Sequence, residues 1–346
     1  MNNNFIDGAN MESKKILLVS IVVVLVFLAI LAFVITQTSN QDQNVVRIGW
    51  QIPWATQGQL TQVLKNTDIL QKNDINAVFK GFASGAPLNE AALAGNVDII
   101  FTADQPAATL ISKDGNWVII GRLMYNRVSL YVPPKSPITT IADLNGKTVA
   151  MPFGAAAQRM ALNAEKQAGL DTAKDVKNIN LGIYEQSDLV KDVNATKWGE
   201  IDAMAGFDPT PAIFEEKGLV RNLKTETVIS LILVSKKYIA EHPSIPLKFL
   251  KSFREAYDFY RQNPEQANAW FKSEAKLDIT SNALSIASAV EPNLKAKSIS
   301  EIRLSFNDED YRIMQEAADF LLANKLIQKN VVMRDHVDLS YVNLLQ

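Results

Sequence analysis

The chain has 346 residues, a formal net charge of −2, 47% hydrophobic and 21% charged residues, and no cysteine. A core large enough for two lobes is within reach, whereas disulfides, thiolate nucleophiles, cysteine–zinc sites and lipid attachment through cysteine are excluded. Balanced charge without a basic cluster argues against nucleic acid as a partner. His242 and His336 are the two histidines, far apart, and neither a metal site nor a resident cofactor is expected.

Lys14 and Lys15 precede an apolar run, 16–35, broken only by Ser20. At about 1.5 Å per residue the run spans roughly 30 Å, the hydrocarbon thickness of a bilayer. It predicts one N-terminal transmembrane helix. The run ends Ala-Phe-Val-Ile-Thr, without the small residues of a cleavage site, so an anchor is expected in preference to a signal peptide. The lysines place 1–15 in the cytoplasm and the rest outside the cell membrane. Residues 36–44, TQTSNQDQN, form a polar tether.

Beyond the tether, short apolar runs alternate with helical stretches. VVRIGW (45–50), NAVFKGF (76–82) and VDIIFT (97–102) predict strands, each followed by a helix. TVAMPF (148–153), NINLGIY (178–184) and IDAMAGF (201–207) repeat the order. Gly95-Asn-Val-Asp98 matches Gly199-Glu-Ile-Asp202 at an offset of 104, and the same offset sets Val45 on Val149 and 77–81 on 181–185. Two related α/β lobes follow, each a mainly parallel sheet covered by helices. Lobe 1 is 45–132 plus 228–346 and lobe 2 is 135–226. SLYVPPKSPI (129–138) and VISLILVS (228–235) are the two crossings of a hinge. Residues 246–262 and 308–323 carry apolar helical stripes, the latter capped by Asn307 or Asp308, and cover the first lobe.

Ligands of open parallel sheets bind beyond the carboxyl ends of the strands. In the first half those ends carry Trp50, Gln51, Trp54, Thr56 and Gln57, then Ser84 and Gly85, then Thr102 and Asp104. In the second they carry Phe153, Gly154 and Gln158, then Tyr184 and Glu185, then Phe207 and Asp208, with Asn126 between the halves. Tryptophans beside Gln and Pro build an apolar wall with polar handles. Asp208-Pro209 and Asp104 with Pro106 also suit helix starts. Gly154 suits a strand-to-helix turn whose amides face a ligand, with Gln158 as donor and Phe153 as wall.

RIGWQIPWATQGQL, FASGAPLNEAALAGNVDIIFTADQPA, SPITTIADLNGKTVAMPFGAAAQ and GEIDAMAGFDPTPAIFEEKGL, in that order, resemble the exported solute-binding proteins of ABC importers. The likeness is to the NMT1/THI5-like branch for nitrate, taurine, aliphatic sulfonates and thiamine-precursor pyrimidines, and covers about 45–275. It implies a two-lobed periplasmic-binding-protein type II fold with a double-crossover hinge, a small-molecule ligand in the inter-lobe cleft, and permease and ATPase subunits as partners. It implies no catalytic residue. In that family the second glycine turn usually reads Gly-Ser, often with His soon after, where Gly154-Ala155-Ala156-Ala157-Gln158 stands here. The amides remain and the hydroxyl is gone. Asp104, Glu185 and Asp208 face one cation, Arg127, so a neutral or amine-bearing ligand is expected over an anionic one.

Two other classes compete. An enzyme of the thiamine-pyrimidine type would need a cysteine-rich motif and a cleft histidine, and no other catalytic motif is found. A membrane-tethered sensor ectodomain would need another chain for output. One continuous sheet, or facing loops that leave no cavity, would contradict the two-jawed reading.

Overall fold

The computed structural model describes residues 45–345. The run 16–35 and the tether lie outside them. Among the described residues no helix is long and apolar enough to cross a membrane.

The first half runs β1 (Val45–Gln51), α1 (Gln57–Asn66), α2 (Ile69–Lys72), β2 (Asn76–Phe82), α3 (Gly85–Leu93), β3 (Ile99–Ala103), α4 (Asp104–Lys113) and the long β4 (Trp117–Val132). The second runs β5 (Lys147–Met151), α5 (Ala156–Gln167), β6 (Val176–Asn180), α6 (Ile183–Leu189), β7 (Ala203–Phe207), α7 (Thr210–Glu216) and the long β8 (Arg221–Ser235). Helices α8 (Lys236–Glu241), α9 (Ile245–Gln262), α10 (Pro264–Ala275), α11 (Ser281–Ser288), α12 (Asp308–Ala323) and α13 (Ser340–Asn343) follow.

The eight strands form one hydrogen-bonded order, β2-β1-β3-β8-β4-β7-β5-β6. Two separate sheets were expected, and one continuous sheet was set against the two-jawed reading. The strands do form one sheet, because β4 and β8 run through both halves, so the two-jawed reading holds only as two parallel cores joined by that ribbon. β4 and β8 pair antiparallel from Trp117↔Ser235 to Val132↔Arg221. β3 pairs only with residues 230–234 of β8, and β7 only with residues 128–131 of β4. Each half therefore completes its parallel core with its own end of a shared ribbon. The parallel pairs themselves are β1–β3, β5–β6 and β5–β7. The crossings are thus bonded to each other rather than free, and β4 begins well before the 129–138 stretch read as a crossing.

The repeat has a physical cause. Gly95 and Gly199 both adopt positive φ, +69° and +62°, in the turns before β3 and β7. The carboxylates that follow close the same contact twice: Asp98 accepts from the Arg47 amide at 2.8 Å, and Asp202 from the Thr148 amide at 3.0 Å. In return each aspartate amide donates to the carbonyl of Arg47 or Thr148. In the ladders Ile48 pairs with Ile99 and Val149 with Ala203, so the first strands match at an offset of 101, not 104. The middle strand also differs. β6 ends at Asn180, whose Oδ1 accepts the Phe153 amide, and Gly182 caps α6 instead of continuing a strand to 184.

Helix α9 packs on α1 and α2, α12 packs on α4, and α11 packs on α7 of the second half. The N-cap of α12 is Asn307, which accepts from the Asp310 amide at 2.8 Å while Asp310 accepts from the Asn307 amide. The ribbon is tied to this helical layer at a register shift between Arg122 and Met124. There the Arg122 guanidinium forms two bonds to Glu291, at 2.8 and 2.7 Å, and both side chains are fully buried. Glu291 also accepts the amides of Tyr125 and Asn293, so all its lone-pair directions are used.

A buried pair with one partner removed leaves an uncompensated charge, which costs about 3–5 kcal/mol. Glu291→Gln is therefore expected to lower stability by several kcal/mol in denaturant unfolding. Asp68→Asn, which breaks the exposed Lys72 pair, is expected to leave the unfolding midpoint unchanged.

Candidate ligand-binding site

The carboxyl ends of β1, β3, β5 and β7 point toward one region, and the loops of the two halves meet there. The Trp54 ring lies 4.6 Å from the Phe207 ring. The Ala55 amide donates to the Asp208 carbonyl at 3.3 Å. Arg159 of α5 reaches Asp104 of α4 at 2.7 Å, with side-chain exposures of 6% and 0%. These contacts join the loops of the two halves.

Backbone geometry sets the loop after β1. Thr56 has φ +68°, a conformation that a β-branched residue rarely tolerates, just before α1. The Gln57 side chain turns back to accept the Gln51 amide at 2.7 Å, and Gln51 donates weakly to Thr102 at 3.4 Å. At Gly85 a Cβ would come within 2.6 Å of Pro106, so the close approach of α3 to α4 requires glycine. Asn126, on the ribbon where it passes between the halves, directs Nδ2 toward the carbonyls of Ala55 and Asp208 at 3.5 and 3.4 Å.

The charges are compensated within the protein. Asp208 accepts from Arg127 at 2.8 and 3.0 Å and from the Ala212 amide at 3.1 Å, joining the start of α7 to β4. Arg127 also pairs with Glu215. Burial pushes the Asp208 carboxyl above its usual range, and Arg127 opposes that rise. Burial works against the charge on Arg127, yet Asp208 and Glu215 outweigh it and raise its pKa. Burial likewise raises Asp104, with Arg159 opposing. The carboxylate charge expected to repel an anion is cancelled at Asp208 by Arg127, the one cation counted in the sequence, and at Asp104 by Arg159, which was not counted.

The candidate residues fall into three groups. Gln51, Trp54, Thr102, Asp104, Asn126, Phe207 and Asp208 are buried at or beside the junction. Trp50 is wholly buried in the core of the first half, with Lys65 5.6 Å above its ring. Phe153 and Gly154 are exposed, Ser84 is half-exposed, and Glu185 stands exposed on the first turn of α6. The Gly154 amide donates to Gln158 Oε1 at 2.9 Å, so it is already satisfied by the side chain read as a ligand donor.

What the strand-end reading undervalued is a set of buried polar atoms without a partner: Trp54 Nε1, Thr56 Oγ1, Gln57 Nε2, both carboxamide atoms of Gln105, Asn126 Oδ1, Arg159 Nη1 and Thr210 Oγ1. Buried polar groups normally find partners, so these are the atoms that a polar guest at this junction would bond. Gln105 and Arg159 escaped notice. The signal was available, since Gln105 follows Asp104 directly and Arg159 interrupts the alanine-rich face of α5. A groove of about 750 Å³ runs between α5 and α12 over β8, and Arg159 lines its inner end. Of its other charges, Arg312 pairs with Glu309 and Glu316.

The family model described as NMT1/THI5 like matches residues 83–267. A protein of Escherichia coli (strain K12) that carries the name aliphatic sulfonates-binding protein is 27% identical over 321 residues, covering 90% of this chain and 93% of the relative. The crystal structure of the periplasmic aliphatic sulphonate binding protein SsuA from E. coli superposes with a TM-score of 0.68 at 24% identity, over 85% of this chain and 92% of that one. A cysteine-to-serine mutant of DSZB, in complex with biphenyl-2-sulfinic acid, superposes with a TM-score of 0.64 at 14% identity, over 87% and 98%. The chain thus has the α/β fold of periplasmic binding proteins.

Helix α5, which carries Arg159, holds Glu165 on its buried side. Glu165 accepts one bond from Asn178 at 3.0 Å, its other oxygen has no partner, and burial pushes its pKa up to about 7. A carboxyl whose folded pKa lies above its unfolded value contributes its stability below the unfolded value and loses it as pH rises through about 7. Glu165→Gln should therefore raise Tm at pH 8, and the gain over wild type should shrink steadily toward pH 5 in thermal melts.

Proposed function

This chain belongs to the NMT1/THI5-like family, and from that premise we propose that it is the extracytoplasmic solute-binding component of an ABC importer. The halves 45–132 plus 228–346 and 135–226 act as jaws around the β4–β8 ribbon. A small organic molecule binds where the strand ends of both meet and favours the shut form by its differential affinity. The liganded form then docks on permease and ATPase subunits. The unpartnered buried polar groups at the junction carry this reading.

The chain itself performs no reaction in this account. It lacks cysteine, His242 ends α8 beside Tyr238, and His336 sits in a short turn before α13. That sets it apart from a desulfurization enzyme of the same fold, of which a cysteine mutant has been made. With Asp104 and Asp208 compensated, the electrostatic objection to an anion is gone. The name of the E. coli relative supports a ligand with a sulfonate head. The run 16–35, on its sequence alone, supports tethering to the cell membrane, which would hold the jaws near their permease.

A cysteine-free chain allows clean labelling. With dyes on cysteines placed at the exposed Asn96 and Asn194, one in each half, saturating ligand should raise energy transfer. Calorimetry against alkanesulfonates, taurine, nitrate, amines and pyrimidines should give a micromolar or tighter Kd for at least one class. Absence of binding throughout the panel would refute the assignment.

A further inference from the structure

One guanidinium at the junction has two nitrogens in different situations. Arg159 is 5% exposed. Its Nη2 donates to Asp104 Oδ2 at 2.7 Å, across from α5 of the second half to α4 of the first. Its Nη1 is buried and meets no acceptor in the protein. A fully buried charged donor without an acceptor is costly, so an arrangement that leaves one needs an explanation.

The surroundings point the same way. Side chains on a helix lean toward its N-terminus, and Arg159 lies one turn into α5. The start of that helix leaves backbone N–H groups without helical acceptors and carries its positive dipole end. On the other side Gln105, next to Asp104 and wholly buried, also has both side-chain polar atoms free. Asp104 is committed elsewhere, since its Oδ1 accepts the Gln105 amide at 2.6 Å. Asp104 cannot turn to serve Nη1 without losing that bond.

We propose that Arg159 is the residue that couples ligand capture to closure: Nη2 closes the halves through Asp104, and Nη1 takes an acceptor oxygen of the bound solute. The pair with Asp104 forms only when α4 and α5 meet. A solute oxygen on Nη1 fixes the plane of the guanidinium, and a fixed plane presents Nη2 to Asp104. Asp104 is then a positioning residue that touches no ligand, and Arg159 both binds and latches. This inference rests on the solute-binding reading above and adds the coupling residue to it.

The test uses the full chain in mild detergent with the Asn96/Asn194 dye pair, and methanesulfonate, taurine and MOPS as probes. Asp104→Asn should lower energy transfer without ligand and weaken probe binding about tenfold, leaving an anchor but no latch. Arg159→Gln should weaken it about a hundredfold or more. The double variant should match Arg159→Gln within about threefold, because one guanidinium carries both effects. Should Arg159→Gln fail to fold with Asp104 left unpaired, the double variant, which removes both charges, decides. Affinities of the single variants within about threefold of wild type, or ligand-free energy transfer unchanged in Asp104→Asn, would overturn the coupling while leaving the solute-binding reading intact. Failure of wild type to bind these probes or any other member of the calorimetric panel would instead remove the ground from both.

Discussion

The β4–β8 ribbon is the constraint on which the rest of the structure depends. Each half needs two antiparallel strands to complete its parallel core, and both halves draw them from the same pair. Motion of one half against the other must therefore twist a continuous ladder rather than swing two loose linkers. The ribbon gives way most readily at its irregular positions, between Ile119 and Gly121, Arg122 and Met124, and Leu130 and Tyr131. The Arg122–Glu291 pair fixes the first two of these to the helical layer. Bending is left to the shift between Leu130 and Tyr131, since Glu291 also accepts the Tyr125 amide and Arg127 is held by Asp208 and Glu215.

From that ribbon the site follows. Strands β1 and β3 deliver Trp54 and Asp104 from one side, and β5 and β7 deliver Arg159 and Asp208 from the other. The duplicated Asp98 and Asp202 contacts set each third strand against its first, so both halves present their strand ends at comparable height. Charge is balanced locally by Arg127 with Asp208 and Arg159 with Asp104, which lets the halves meet without mutual repulsion. Burial of such pairs adds little net stability, so their value lies in fixing geometry.

Much of this was legible in the residues. The strand–helix alternation located six of the eight strands, because their apolar runs were bounded by glycine and polar turns, and the two crossings marked parts of β4 and β8. The Gly-x-x-Asp repeat exposed the duplication, because a glycine with positive φ and a carboxylate closing a ladder leave a mark at fixed spacing. Register was harder to read. Apolar residues in a short buried strand do not say which one faces which partner, so the first strands were set three residues out of place. The stretch 178–184 alternates like a strand, yet Gly182 starts a helix there. Asp104 and Asp208 lie at helix starts as their sequence suggests, but the N-caps are Ala103 and Pro209, and the partners that cancel the aspartates' charge come from distant segments. Nothing local to Asp104 announces Arg159, fifty-five positions later.

Hydrogen exchange of the full chain, with and without a saturating solute, tests the central claim most directly. The account predicts slower exchange confined to residues 52–58, 104–108, 155–160 and 208–212, with the ribbon termini at 117–119 and 233–235 unchanged. Protection confined to residues 309–323 of α12, with those four loops unaffected, would contradict it.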